Sequence, residues 1–335
     1  MLLVVFGIAS GYFVYTALYQ SNIQFSEEKA FVDLAKHANY DSLLVKLTPY
    51  LKSVTKFKTA SKIKRFSRVH PGRYLIKNGM SNNELINMLR IGKQVEIKVT
   101  FNNQNSLEDL AGALSRQIAP DSVHLLETML NKDFIRKNGF NPNNALLMYV
   151  PNTYRVFYSI SAEKFRKKML NEYKLFWNKE RMQKAKDLGL TPLEVGILAS
   201  IVQQESNIQK ERPRIAGVYL NRLKDNWLLQ ADPTVKYAYQ QQYGKDLVIK
   251  RVLNKHKEMD SPYNTYKYTG LPPGPICMPD IVSIDAVLNP EKHSFYYFVA
   301  DFDKPGYHTF SKSLSEHNRH ANTYHRSLNR QGIYH

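Results

Sequence analysis

The chain has 335 residues, enough for a real core and two or three domains. Its 47 Lys and Arg stand against 29 Asp and Glu, a formal charge of +18, which suits a polyanionic partner such as anionic lipid or an acidic wall polymer. The chain has no RNP-like motif, zinc-finger spacing or basic recognition helix, so a nucleic-acid partner is set aside, and the lone Cys277 excludes an intrachain disulfide.

Met1 to Leu18 carries no charge and is mostly apolar. That length suits a transmembrane helix and is long for a signal-peptide core. No A-x-A-like cleavage site follows, so the expectation is an uncleaved transmembrane anchor over residues 1–18. No Lys or Arg precedes the span, which leaves its orientation open on charge alone. Residues 19–65 are polar and basic with two short helical patterns, and read as a membrane-proximal segment.

A small αβ unit is expected at 66–104. Arg73-Tyr-Leu-Ile-Lys alternates like a strand, Ser81-Asn-Asn-Glu opens a helix with a capping box, and Val95 to Phe101 alternates again. Helices follow near 106–118 and 120–131. Tyr149-Val-Pro-Asn-Thr-Tyr comes next, then a long charged helix from about Ala162 to Lys186.

Thr191 to Glu205 reads as one amphipathic helix. Thr191 is the N-cap, Pro192 sits in the first turn, and Glu194 completes a capping box. Ile197, Leu198, Ile201 and Val202 form its apolar stripe, and Glu205 extends that stripe by one turn. Burial and the helix C-terminus both disfavour a negative charge there, so the pKa should rise toward the range of a general acid. The plain alternative is a glutamate at a frayed helix end.

A second amphipathic helix is expected from Pro213 through Leu223. Asp232-Pro-Thr reads as an N-cap followed by Pro. Residues 255–280 are rich in Pro, Gly, Tyr and Asn and should be loop. Phe295 to Ala300 and Tyr307 to Phe310 read as strands, and Ser313-Leu-Ser-Glu opens the last helix. His317, His320 and His325 lack an HExxH pattern or a carboxylate partner, so they read as a basic helical face and not a metal site.

Ala199-Ser-Ile-Val-Gln-Gln-Glu-Ser, Asn221-Arg-Leu, Leu229-Gln-Ala-Asp-Pro-Thr-Val, Tyr263-Asn-Thr-Tyr and Gly270-Leu-Pro-Pro-Gly-Pro-Ile occur in that order. Together they resemble the MltG/YceG-like endolytic murein transglycosylases of bacteria, most densely from about residue 195 to 325. The resemblance implies an α+β fold: an N-terminal transmembrane helix, a LysM-like αβ subdomain at 66–104, and a helix-rich catalytic domain at 105–335 packed on a small sheet. The LysM-like unit reads either as a binder of N-acetylglucosamine polymers or as a spacer. The family's single catalytic glutamate falls on Glu205. Many relatives carry an acid two positions earlier, where this chain has Gln203, and another where this chain has Asn152.

The implied reaction cleaves the bond from N-acetylmuramic acid to N-acetylglucosamine in nascent strands and leaves 1,6-anhydro ends, with Glu205 as acid and then base. It implies no metal and no organic cofactor. Asn221, Gln230, Asp232, Tyr263, Asn264, Thr265, Tyr266, Gly270, Pro272, Pro273 and Gly274 are the candidate substrate-binding residues. Hydroxyls, amides, aromatic faces and close-approaching backbone are what a glycan needs. Asp232 reads more simply as a helix cap, and Asn221 and Arg222 as ties between helices. The implied partners are peptidoglycan strands, the membrane through the N-terminal helix, and the peptidoglycan synthases of the elongation and division machinery. The implied location is the bacterial cytoplasmic membrane, with the catalytic domain on the extracytoplasmic side. Two rivals stay open: a lysozyme-type hydrolase with Asp232 as second carboxylate, and a non-catalytic peptidoglycan-binding scaffold.

Overall fold

The computed structural model describes residues 2–249 and 251–330. The chain forms two compact units, each made of discontinuous segments. One takes the residues up to Thr100 together with Ala111–Leu125 and Thr153–Phe165. The other takes Phe101–Leu110, Leu126–Asn152 and the described residues from Arg166 onward.

The first unit opens with α1 (Leu2–Tyr19), β1 (Lys29–Leu34), α2 (Tyr40–Leu47), α3 (Val54–Ile63) and β2 (Gly72–Lys77). Strands β1 and β2 pair antiparallel, with Lys29 opposite Lys77 and Leu34 opposite Gly72. Period-two alternation turns Val32, Leu34, Tyr74 and Ile76 into a core shared with Leu43, Leu47 and Phe57. Helix α4 (Asn82–Arg90) starts at the expected capping box of Ser81 and Glu84. Strand β3 (Glu96–Phe101) follows and pairs with β4 (Asn152–Phe157). The strand–helix–strand expected at 73–101 therefore does not close on itself, because each strand takes its partner from elsewhere in the chain.

The expected transmembrane anchor is corrected. Met1 lies outside the described residues. Among the described residues, no helix is long and apolar enough to cross a membrane. Spanning needs about 20 apolar residues, whereas the last turn of α1 is already committed elsewhere. Thr16, Ala17 and Leu18 are buried, Leu18 joins the core with Ile23 and Leu85, and the Ala17 carbonyl accepts a 2.8 Å hydrogen bond from the Asn82 amide.

Between β3 and β4 run α5 (Leu107–Ser115), α6 (Ser122–Met129) and α7 (Lys132–Lys137). The long charged helix expected at 162–186 is two helices, α8 (Ala162–Phe176) and α9 (Lys179–Asp187). Trp177 is buried at the break, and Asn178 restarts the helix by accepting from the Arg181 amide at 3.0 Å. The second unit continues with α10 (Pro192–Glu205), α11 (Arg212–Lys224), α12 (Asp232–Tyr243), α13 (Asn254–Lys257), α14 (Ile281–Leu288), β5 (Tyr297–Ala300), β6 (His308–Ser311) and α15 (Leu314–Arg330). Strands β5 and β6 pair antiparallel, from Tyr297 opposite Ser311 to Ala300 opposite His308. The fold is α+β, with helices packed on small two-stranded sheets.

Candidate active site

Helix α10 is the axis of the second unit. Its start is fixed locally, since Thr191 Oγ1 accepts from the Glu194 amide at 3.3 Å and Glu194 accepts from the Thr191 amide at 2.8 Å. Every residue from Val195 to Gln203 is buried, so the helix is enclosed all round and not only along one stripe. Helices α9, α11, α12 and α14 pack against it. Gln203 spends its amide inside the protein: its oxygen accepts from the Asp280 amide at 2.6 Å, and its NH2 donates to the Met278 carbonyl at 3.4 Å. Gln203 thus anchors the segment that leads into α14.

Glu205 is the last residue of α10 and faces a cavity of about 300 Å³. Tyr219, on α11, donates its hydroxyl to Glu205 Oε1 at 2.6 Å. Burial pushes the Glu205 carboxyl up to about 7, the Tyr219 hydrogen bond opposes the rise, the negative charge of Asp232 adds to it, and Arg222 and Lys236 oppose it. Glu205 therefore holds its proton in near-neutral water and releases it at little cost. Burial and the neighbouring glutamate hold the Tyr219 hydroxyl well above its ordinary value, so it stays a donor. Arg222 lies one turn beyond Tyr219 and is pinned by its own bonds, Nε to the Tyr296 carbonyl at 2.8 Å and Nη1 to the Leu229 carbonyl at 2.5 Å.

Asp232 is not the cap of α12. The N-cap is Ala231, with no side-chain capping bond, and Asp232 sits in the first helical turn. Its Oδ1 accepts from the Tyr266 hydroxyl at 2.6 Å, and both residues line the Glu205 cavity. One cavity thus holds two carboxyl groups: Glu205, pushed toward its neutral form, and Asp232, bound by the Tyr266 phenol in the first turn of α12.

Of the residues named from the sequence, Glu205, Gln230, Asp232 and Tyr266 meet in this cavity. Gln230 adopts φ of 50°, a left-handed backbone uncommon for a side chain of its size, and its N–H donates to the Thr265 carbonyl at 3.0 Å. Thr265 is buried and accepts from the Ala231 amide at 2.9 Å, while its hydroxyl meets that of Thr234 at 2.8 Å. These bonds hold the 264–266 loop against the start of α12, which is what brings Tyr266 to Asp232. Asn264 is fully buried, donating to the carbonyls of Lys257 at 2.8 Å and Met259 at 2.7 Å and accepting from the Tyr266 amide at 3.0 Å. Its polar atoms are spent on the loop.

The remaining candidates lie elsewhere. Asn221 donates to the carbonyls of His293 and Phe295, both at 3.0 Å, and ties α11 to the segment before β5. Tyr263 packs on Tyr237 with ring centroids 4.8 Å apart and lines a separate cavity of about 240 Å³. Gly270, Pro272, Pro273 and Gly274 do not line the Glu205 cavity. Gly270 turns the chain at φ of 80°, and Gly274 passes so close to the Asn143 carbonyl that a Cβ would sit 2.1 Å from its oxygen.

Tyr297, Phe298 and Leu314 also line the cavity and carried no site signal in the sequence, and His317, expected on a basic helical face, lines it as well. His317 and Leu314 are one turn apart on α15, a spacing that could have flagged them. The His317 ring stacks on Tyr297 with centroids 5.4 Å apart, and burial together with Arg222 holds its pKa below the ordinary range. The side chain of His325 lies outside the described residues. His308 bonds Glu211 through its backbone N–H at 2.9 Å and its Nδ1 at 3.0 Å, and its ring lies 5.3 Å from that of Phe298.

Comparison with known proteins matches this arrangement to one family. The model of the YceG-like family aligns with residues 32–323. A protein of Bacillus subtilis named endolytic murein transglycosylase is 32% identical over 304 residues, which cover 85% of this chain and 81% of that one. A protein of the same name from Streptococcus pneumoniae is 34% identical over 136 residues, 41% of this chain and 24% of the longer relative. The crystal structure of a yceG-like protein from Listeria monocytogenes superposes with a TM-score of 0.57 at 26% identity, covering 88% of this chain and 99% of that one. With most of its length matched in sequence and in fold, the chain belongs to the YceG-like family.

Proposed function

We infer that this chain is an endolytic murein transglycosylase that cuts nascent glycan strands between N-acetylmuramic acid and N-acetylglucosamine. The name of the Bacillus subtilis relative, aligned over most of both chains, supports that activity. The observation that carries the mechanism is Glu205: a carboxyl raised to about 7, hydrogen-bonded by Tyr219, at the wall of a cavity. Protonated Glu205 gives its proton to the glycosidic oxygen as the bond to the muramic anomeric carbon breaks. The N-acetylglucosamine end leaves as an alcohol. Positive charge at the anomeric carbon is met by Asp232 in the same cavity, held in place by Tyr266. The sugar's C6 hydroxyl then bonds to that carbon, its proton returns to Glu205, and the 1,6-anhydro ring closes without consuming water.

A second reading has one specific observation in its favour. Asp232 and Glu205 share one cavity, the arrangement of a two-carboxylate hydrolase. Product analysis separates the readings. Purified sacculi are digested with the protein and with Glu205→Gln, and the muropeptides are weighed by mass spectrometry. Anhydro ends from the parent and none from the variant support the transglycosylase. Reducing ends support the hydrolase, and equal activity of a folded Glu205→Gln chain sinks the assignment of Glu205. The substrate sets the place of work: the extracytoplasmic face of the cytoplasmic membrane, beside the synthases that supply new strands. Protease added to intact spheroplasts should digest the protein, and full protection would refute that location.

A further inference from the structure

The +18 charge is left unused by the chemistry at Glu205, and part of it converges on one place in the first unit. A cavity of about 600 Å³ is lined there by the end of β1, by α2, by β2 and β3, and by the residues just past α5 and β4. Its walls carry four cationic side chains and one carboxylate. That carboxylate, Asp33, is already taken by Arg73, with Nε and Nη2 meeting its two oxygens at 2.7 and 2.8 Å. Gln117 is spent on Thr100, accepting from its amide and donating to its carbonyl, both at 2.9 Å. Lys46, Lys98 and Arg116 remain. Among the described residues, none of the three has a carboxylate partner or a side-chain hydrogen bond.

Three like charges brought by three separate elements to one concavity repel each other, and an anion in their midst reverses the sign of that interaction. The rest of the wall is mixed: an apolar part of Leu34, Ala35, Ala38, Ile97 and the ring of Tyr158, beside the polar side chains of His37 and Ser42. A bare phosphate would use the cations and leave the apolar part idle. The volume falls within the range of about 300–1,000 Å³ usual for sites that hold an organic ligand. We propose that this cavity is a second binding site, recognising the carboxylates of the acidic peptides borne by the wall glycan. The assignment of peptide as ligand rests on the murein reading above. The anion site itself rests on the three free cations.

The test uses the whole chain carrying Glu205→Gln, so that binding is read without cleavage. The probes are soluble uncrosslinked glycan strands with their peptides attached, and neutral chitooligosaccharides. Each of Lys46→Ala, Lys98→Ala and Arg116→Ala should weaken binding of the peptide-bearing strands about 2–5-fold, and the triple variant about 10–100-fold. Rising salt should weaken the parent and leave the triple variant nearly unaffected. Chitooligosaccharide binding should not change. The single reversal Lys98→Glu, on an exposed strand face, should reproduce most of the loss and guards against misfolding of the triple variant. Unchanged affinity in the variants overturns the proposal, as does an equal loss for the neutral sugar. Competition by millimolar inorganic phosphate would replace it with a phosphate site. Cleavage by the unmodified chain is scored separately: a protein that cuts murein but ignores these charges disproves only this inference, and one that cuts nothing disproves the reading it rests on.

Discussion

Tyr219→Phe isolates one hydroxyl at the centre of the site. The phenol donates to Glu205 at 2.6 Å and opposes the rise caused by burial, which still leaves the carboxyl at about 7. Phenylalanine keeps the ring packed edge-on against Phe298, 6.0 Å away, so the fold should hold. A hydrogen bond to a charged acceptor is worth about 1.5–3 kcal/mol, and each pKa unit corresponds to about 1.36 kcal/mol. Losing the bond should therefore raise Glu205 by about 1 unit, toward the low end of that range, because water reaching the cavity replaces part of it. If Glu205 acts first as an acid, activity falls as pH rises through its pKa. The falling limb of kcat/KM should then move from about pH 7 to about pH 8. At pH 8 the parent would keep about a tenth of its acid form and the variant about half, so the ratio of variant to parent should rise about 5-fold between pH 6 and 8. The assay is release of anhydro ends from uncrosslinked strands across that range. A limb that stays in place or moves toward acid would refute the account of how Glu205 is tuned, whatever the absolute rate does.

Other changes give signs that follow from the same geometry. Asp232→Asn removes the charge that raises Glu205, so the falling limb should shift to lower pH, with a loss in rate of about 100-fold or more if that charge faces the anomeric carbon; parent-like rates would return Asp232 to a structural role. Glu205→Gln should stabilise the fold in alkali. The folded carboxyl lies near 7, above its ordinary 4.5, so its contribution to stability is whole below 4.5 and is lost as pH rises through 7. The ceiling of the gain is on the order of 3 kcal/mol, read as a difference in melting temperature that opens between pH 5 and 8, and equal melting curves at pH 8 would contradict the raised carboxyl. Gly274→Ala should cost about 1–3 kcal/mol, because its Cβ would sit 2.1 Å from the Asn143 carbonyl oxygen, and denaturant titration measures it.

What could be read from the sequence was what is decided locally. The capping boxes at Ser81 and Thr191 involve residues three apart, and both form. The position of Glu205 on a buried helix follows from one heptad of apolar spacing. What could not be read depends on distant chain. Asp-Pro-Thr gives the same local signal whether the aspartate caps a helix or faces a cavity, and the Tyr266 hydroxyl that decides the matter comes from a loop far downstream. Tyr219 carries no local signal of its own, and only the packing of α11 against α10 brings its hydroxyl to Glu205. An uncharged stretch at the start of the chain read as an anchor because composition cannot see that Asn82 and Leu85 claim its last turn. Strand β1 was missed because Val32 and Leu34 are its only fully buried side chains, too few to show an alternation.

The interleaving of the two units carries a consequence for biosynthesis. The first unit is not finished when Thr100 leaves the ribosome, because it still lacks Ala111–Leu125 and Thr153–Phe165. At roughly 5–20 residues per second, the β1–β2 unit waits about 3–13 s for its last segments. During that interval β3 has no strand to pair with, since β4 has yet to be made, and its unpaired edge is the kind of surface that recruits other chains. Any truncation ending between Thr100 and Phe165 would make that interval permanent. The nascent chain is most exposed to misassembly midway through its synthesis, well before the glutamate helix exists.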